Sequence, residues 1–162
     1  MNKEDFKKIK ALFLDFDGVL TDDRVLVDEN GKEAVFCSRS DGFGIERLKE
    51  AGVYVAVISR ESNSVVAARC KKLQIDCLQA ITDKLPAFRE QLEKRKLSKE
   101  ETAFVGNDIT DIECIKEAGI GIAVNDANPL AAKEANFVTS KKGGYGAVRE
   151  IADLILGNQE ED

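Results

Sequence analysis

Residues Ala11-Leu12-Phe13-Leu14-Asp15-Phe16-Asp17-Gly18-Val19-Leu20-Thr21 decide how this chain is read. Four apolar residues in a row, closed by an acidic turn, have the character of a strand buried on both faces of a parallel sheet. Two positions apart in an extended segment, Asp15 and Asp17 point the same way. Like unit charges about 4 Å apart repel by roughly 4 kcal/mol at an effective dielectric near 20, so such a pair implies a cation, a shared proton or exposure to water. A solvated pair leading into a glycine turn is the plain alternative, and the rest of the chain decides between the two.

Apolar runs of the same kind recur at 53–58, 102–105 and 120–124. Between them Ile45 and Leu48, then Val66, Cys70 and Leu73, then Leu85, Phe88 and Leu92, then Ile112 and Ile115 repeat at helical intervals, one apolar face for each helix. Ser98 with Glu101 predicts a capping box, Pro129 suits a helix's first turn, and Gly119 and Gly157 follow helices. Alternating strands and helices predict an α/β fold with a doubly wound, Rossmann-like parallel sheet. One insertion interrupts the alternation: 24–27 and 32–36 flank Asp28-Glu29-Asn30-Gly31 and read as a β-hairpin. We expect a single domain over 1–157 and a solvated tail over 158–162.

Composition narrows the chemistry. The 162 residues are 43% hydrophobic and 33% charged, with two prolines, no histidine and a net charge of -6. Without histidine there is no Ser-His-Asp triad, imidazole base or histidine-bound zinc. Cys37, Cys70, Cys77 and Cys114 show no CxxC spacing, which predicts reduced thiols in a reducing compartment. The negative charge disfavours nucleic acid and anionic membrane as partners. No apolar run approaches the roughly 18 residues of a membrane span, and the charged start lacks an apolar segment of signal-peptide type, so a cytoplasmic location is expected.

Ligands of such sheets bind beyond the carboxyl ends of the strands, and the polar residues there form a set. Ser59 follows the second strand, with Arg60 and Glu61 after it. Lys84 follows Thr82-Asp83 and can reach over the sheet edge, although a lone lysine is more often a surface residue. The strand at 102–105 runs into Gly106-Asn107-Asp108-Ile109-Thr110-Asp111. Helix capping accounts for one of these oxygen donors. It does not account for Asn107, Asp108 and Asp111 together with Asp15 and Asp17, and hard oxygen ligands without thiolate or imidazole suit magnesium.

Asp15-x-Asp17-Gly18-x-x-Thr21, Ser59, Lys84 and Gly106-Asn107-Asp108-x-x-Asp111, in this order and at these strand ends, resemble the four motifs of the haloacid dehalogenase superfamily of phosphatases. The match covers nearly the whole chain. The hairpin after the first motif, the lack of room for a cap domain and the ending Lys142-Gly143-Gly144-Tyr145-Gly146-Ala147-Val148-Arg149-Glu150 resemble more narrowly the 3-deoxy-octulosonate 8-phosphate phosphatases. That group includes nonulosonate 9-phosphate phosphatases and the C-terminal domains of some sialic acid cytidylyltransferases.

The resemblance implies a magnesium-dependent phosphatase acting on a 2-keto-3-deoxy sugar acid phosphate, a small anionic substrate. Asp15 is then the nucleophile that becomes an aspartyl phosphate, and Asp17 the general acid and base. Magnesium would be held by Asp15, the backbone carbonyl of Asp17 and Asn107, with Asp108 and Asp111 supporting that site, Lys84 adding charge and Ser59 a hydrogen bond. Gly18, Arg60, Glu61, Arg69, Lys72, Gly143 and Gly144 are the expected substrate contacts. Glu61, with Arg69 and Lys72 to receive a carboxylate, resembles the nonulosonate branch. Many relatives have an acidic residue where this chain has Asn107, which implies a weaker hold on the metal. The resemblance also implies a homotetramer with central hairpins, in which the segment at 141–146 closes over a neighbour's active site. The alternative is a catalytically weak oligomerisation module. A phosphoacceptor signalling domain shares the sheet and acidic pocket but carries its acceptor aspartate at a later strand end.

Overall fold

The central strands of the main sheet split their side chains between two cores. In β1 (Ala11–Leu14) the side chains of Leu12 and Leu14 join one, and those of Ala11 and Phe13 the other. Burial on both faces follows, and the chain forms one parallel six-stranded sheet in the order β5-β4-β1-β6-β7-β8. The remaining strands are β4 (Tyr54–Ile58), β5 (Asp76–Leu78), β6 (Thr102–Gly106), β7 (Ile120–Ala123) and β8 (Phe137–Val138). The computed structural model describes residues 3–157, so the predicted tail at 158–162 lies outside the described residues.

Helices α1 (Lys3–Phe6), α2 (Arg39–Glu50), α3 (Ser64–Leu73) and α7 (Ala147–Leu156) cover the Leu12 face, burying Ile45, Leu48, Val66, Cys70, Val148, Ile151 and Ile155. Helices α4 (Lys84–Arg95), α5 (Ile112–Glu117) and α6 (Pro129–Glu134) cover the other. There Phe88 meets Phe13 and Phe104 edge to face, at centroid separations of 5.0 and 5.8 Å. Such pairs add about 0.5–1.5 kcal/mol each beyond burial.

The predicted hairpin is present but shorter than expected: β2 (Leu26–Val27) and β3 (Glu33–Ala34) pair antiparallel, apart from the main sheet. Asp28 Oδ1 accepts from Asn30 N and Lys32 N and closes the turn, with Gly31 at φ +76°. The capping box of Ser98 and Glu101 is present on a single 3-10 turn (Lys99–Glu101) rather than on a longer helix. All four cysteines are free, with Cys70 and Cys114 buried and Cys37 and Cys77 partly so. Among the described residues no helix is long and apolar enough to cross a membrane.

β1 lies between β4 and β6, so the chain reverses its direction of winding there and leaves a crevice at the carboxyl ends of these strands. Asp15, Ser59 and Asn107, each just beyond one of the three strands, are thereby adjacent.

Candidate active site

Asp15 continues the β1 ladder, its N–H donating to the Val105 carbonyl at 2.9 Å. The chain then turns sharply. Leu20 N donates to the Phe16 carbonyl at 2.9 Å, and Thr21 Oγ1 accepts from Gly18 N and Asp23 N, each at 3.1 Å. This turn leaves Asp17 half-buried over a pocket of about 350 Å³ lined by Asp15, Asp17, Ser59, Lys84 and Asn107 among others. Gly18 has φ +83°, and a Cβ on it would lie 2.0 Å from Asn107 Nδ2. Its glycine therefore makes room for the Asn107 amide, and Gly18 itself does not line the pocket.

At the floor, the buried Lys84 Nζ sits 2.6 Å from Asp15 Oδ1 and 2.6 Å from Asp111 Oδ1. The second oxygen of Asp111 accepts from Asn107 N at 3.0 Å and Asp108 N at 3.2 Å. Asp111 is thus fully engaged, and serves to orient Lys84 and the Asn107-Asp108 loop rather than to coordinate directly. Burial, then the neighbouring Asp111, pushes the Asp15 carboxyl up to about 7 against the opposing pull of Lys84. Burial, then Glu61, Asp23 and Glu33, raises Asp17, as a general acid requires. Burial would lower Lys84, but Asp15 and Asp111 outweigh it and keep the ammonium charged.

Ser59 is buried at the end of β4, its Oγ accepting from Glu61 N at 3.1 Å, which leaves the hydroxyl proton to be donated into the pocket. The backbone of 59–61 is clamped by the strand-end segment after β5: Ser59 N donates to Leu78 O, Ile81 N to Ser59 O and Ala80 N to Glu61 O. Glu61 Oε1 accepts from Ser62 N and Asn63 N, both at 2.8 Å, so half of this carboxylate braces the start of α3.

Arg69 and Lys72 do not join this pocket. They line a separate cleft with Arg39, Phe43 and Lys49, and Arg69 Nη2 donates to the Ser38 carbonyl at 3.1 Å. Helical spacing places them on the α3 flank facing α2, not at the end beside Ser59. Gly143 and Gly144 also lie outside the pocket lining and pack against their own chain. A Cβ on Gly143 would fall 1.7 Å from the Gly18 carbonyl oxygen, and one on Gly144 2.5 Å from Asp22 N. Gly143 N donates to Asp126 Oδ1 and Gly144 N to the Val19 carbonyl, both at 3.0 Å, so within its own chain this loop buttresses the turn after Asp17. Sequence reasoning missed Asp23, which lines the pocket at φ +65°, in the left-handed region that Asp tolerates better than most side chains. No spacing signal marks it.

Among the described residues no three or more acidic, cysteine or histidine side chains are arranged as a metal cage. A cation here needs the Asn107 amide and a main-chain carbonyl beside Asp15, which is a donor set of hard oxygens. The charge balance fits one: Asp15, Asp17, Asp23, Glu61 and Asp108 face the pocket against two cations, Lys84 and Arg60.

Residues 56–151 match the family described as haloacid dehalogenase-like hydrolase. The 3-deoxy-D-manno-octulosonate 8-phosphate phosphatase KdsC of Escherichia coli is 39% identical over 151 residues, 93% of this chain and 80% of that protein. The Moraxella catarrhalis 3-deoxy-D-manno-octulosonate 8-phosphate phosphatase, solved with magnesium, phosphate and KDO, aligns with a TM-score of 0.93 at 34% identity, covering 97% of this chain and 91% of that one. The cobalt-bound deoxy-D-mannose-octulosonate 8-phosphate phosphatase of Haemophilus influenzae aligns with a TM-score of 0.91 at 32% identity, covering 96% and 91%. Sheet, strand-end pocket and sequence agree, and the chain belongs to the haloacid dehalogenase-like hydrolases, within the 3-deoxy-D-manno-octulosonate 8-phosphate phosphatase family of phosphoric monoester hydrolases.

Proposed function

We propose that the chain is a magnesium-dependent phosphatase that hydrolyses a 2-keto-3-deoxy sugar acid phosphate, octulosonate 8-phosphate first among them, through an aspartyl phosphate on Asp15. The observation that carries this reading is the convergence of Asp15, Asp17, Ser59, Lys84 and Asn107 on one pocket, with Lys84 2.6 Å from Asp15. A carboxylate oxygen of Asp15 attacks phosphorus while the ester oxygen leaves, taking the proton of Asp17. Water then attacks the phosphoryl group, gives its proton to Asp17, and the Asp15–phosphorus bond breaks to release inorganic phosphate. Lys84 fixes the plane of the Asp15 carboxylate, and Ser59 donates to a phosphoryl oxygen. Asp15, the Asp17 carbonyl and Asn107 are the residues suited to hold magnesium, whose positive charge offsets the repulsion between carboxylate and phosphate dianion.

The relatives named for octulosonate 8-phosphate favour that substrate. The expected preference for nonulosonate 9-phosphate rested on Arg69 and Lys72, which lie outside the pocket of their own chain, and on Glu61, half of which braces α3. Free thiols and a phosphorylated substrate support a cytoplasmic setting. Apolar Leu26 and Phe36, 67% and 71% exposed on and beside the hairpin, support packing against further copies of the chain, as in a homotetramer. The deciding experiment measures phosphate release from octulosonate, nonulosonate and neutral sugar phosphates, with magnesium and with a chelator. Release from the octulosonate that vanishes on chelation is expected. No release from any of them would favour the oligomerisation module.

A further inference from the structure

We infer that Asp41, in the first turn of α2, is a positioning residue that sets the aim of Asp17 from the far side of the glycine loop; the inference rests on the acid–base role proposed for Asp17. Asp41 is fully buried, and Oδ1 accepts from Arg149 N at 2.9 Å. The Gly146 and Val148 amides act on the same carboxylate and favour its charged form, while Oδ2 accepts no hydrogen bond, so the acceptor that serves the first turn of α7 is Oδ1. That helix has no cap of its own: its N-cap is Gly146, at φ +100°, and no side chain there accepts a hydrogen bond. A carboxylate from α2 fills the role, accepting from the Arg149 amide and complementing the positive end of the helix.

The consequence passes from α7 to the site through three contiguous residues. Gly144, two positions before the N-cap, donates to the Val19 carbonyl at 3.0 Å, and Gly143 packs directly on the Gly18 carbonyl. These are the carbonyls of the two residues that follow Asp17, in a turn whose internal bonds return to Phe16 and Thr21 and whose Thr21 also bridges to Cys37. With α7 capped, the loop has one position and holds the turn in one position. Without the cap, the first turn of α7 frays and the pressure on Gly18 and Val19 relaxes, so the Asp17 carboxyl loses its fixed direction. General acid catalysis is sensitive to such misplacement.

The test uses wild type, Asp41→Ala, Asp41→Asn and Asp17→Asn, with two substrates. Octulosonate 8-phosphate expels an alkoxide that needs a proton; 4-nitrophenyl phosphate expels a phenolate that does not. Asp17→Asn should lose far more on the first than in first-turnover nitrophenolate release. Asp41→Ala should repeat that selective pattern with a fall in kcat of about tenfold on the sugar phosphate and less than about twofold on nitrophenolate release, with KM little changed. Asp41→Asn, whose amide oxygen still accepts from Arg149, should recover most of the loss. An equal loss on both substrates, or none, overturns the inference. Amide exchange at Gly144 gives a reading independent of turnover: faster exchange in Asp41→Ala is expected, and unchanged protection overturns the proposal. Should Asp41→Ala fail to fold, Asp41→Ser, too short to reach Arg149, is measured in the same way. If Asp17→Asn itself lacks the selective pattern, the acid–base reading fails and this inference falls with it.

Discussion

Lys84 is one cation shared by two buried carboxylates, at 2.6 Å from each, and the residue-scale behaviour of the site follows from that ratio. Lys84→Ala leaves Asp15 and Asp111 facing each other unneutralised, and should destabilise the metal-free protein by about 3–5 kcal/mol at pH 8, with a smaller loss at pH 5, read by chemical denaturation. Asp15→Asn should act the other way on stability while abolishing phosphate release. The folded protein holds the Asp15 proton up to about 7, against an ordinary 3.8. The stability this group contributes is therefore full below about pH 3.8 and lost as pH rises through about 7. In chelator, Asp15→Asn should match wild type near pH 4 and exceed it by on the order of 3 kcal/mol at pH 8.5; a constant difference across that range would refute the assignment. Asp15, Ser59 and Asn107 were legible in the sequence because each directly follows a strand, Lys84 because it opens the next helix, and Asp17 because it shares the acidic glycine turn with Asp15. Asp41, Arg69 and Lys72 were not legible, because a charge in a helix shows its turn but not the neighbour that its face will meet.

At the scale of elements, the central strands were readable as continuous apolar runs, and β5 and β8 were not. These edge strands have three and two residues, and are partly exposed, so neither length nor burial leaves a run to detect. Their pairing comes from the sheet already formed beside them. The contact of β7 with α5 is tighter than either element alone would show: a Cβ on Gly121 would lie 2.0 Å from the Ile115 carbonyl oxygen, which is backbone and has no room to yield. Gly121→Ala should therefore destabilise by about 2–3 kcal/mol, lowering the melting temperature by roughly 5–12 °C, with kcat per folded molecule unchanged. A melt within a degree of wild type would show that β7 and α5 can separate without penalty.

At the scale of the whole molecule, the hairpin is the one part among the described residues whose apolar residues face outward in a row, with Val25 and Val27 50% and 55% exposed beside Leu26. Replacing Leu26 and Phe36 together with Asp should reduce the proposed homotetramer to a smaller species by light scattering, while the melting of the parallel sheet stays cooperative. A mass unaltered by the double change would place any subunit contact elsewhere. The strand order has a further consequence, in the timing of synthesis. β1 is made first but lies between β4 and β6, so its second neighbour is complete only when Gly106 has been added. Until then Phe13 and Leu14 have one paired edge at most, and Asp15, Lys84 and Asp111 are not yet together. Closure over the Leu12 face waits still longer, for α7. A nascent chain of this topology carries Asp15, the proposed nucleophile, for most of its length without a site to place it in, and gains the site late, through distant contacts.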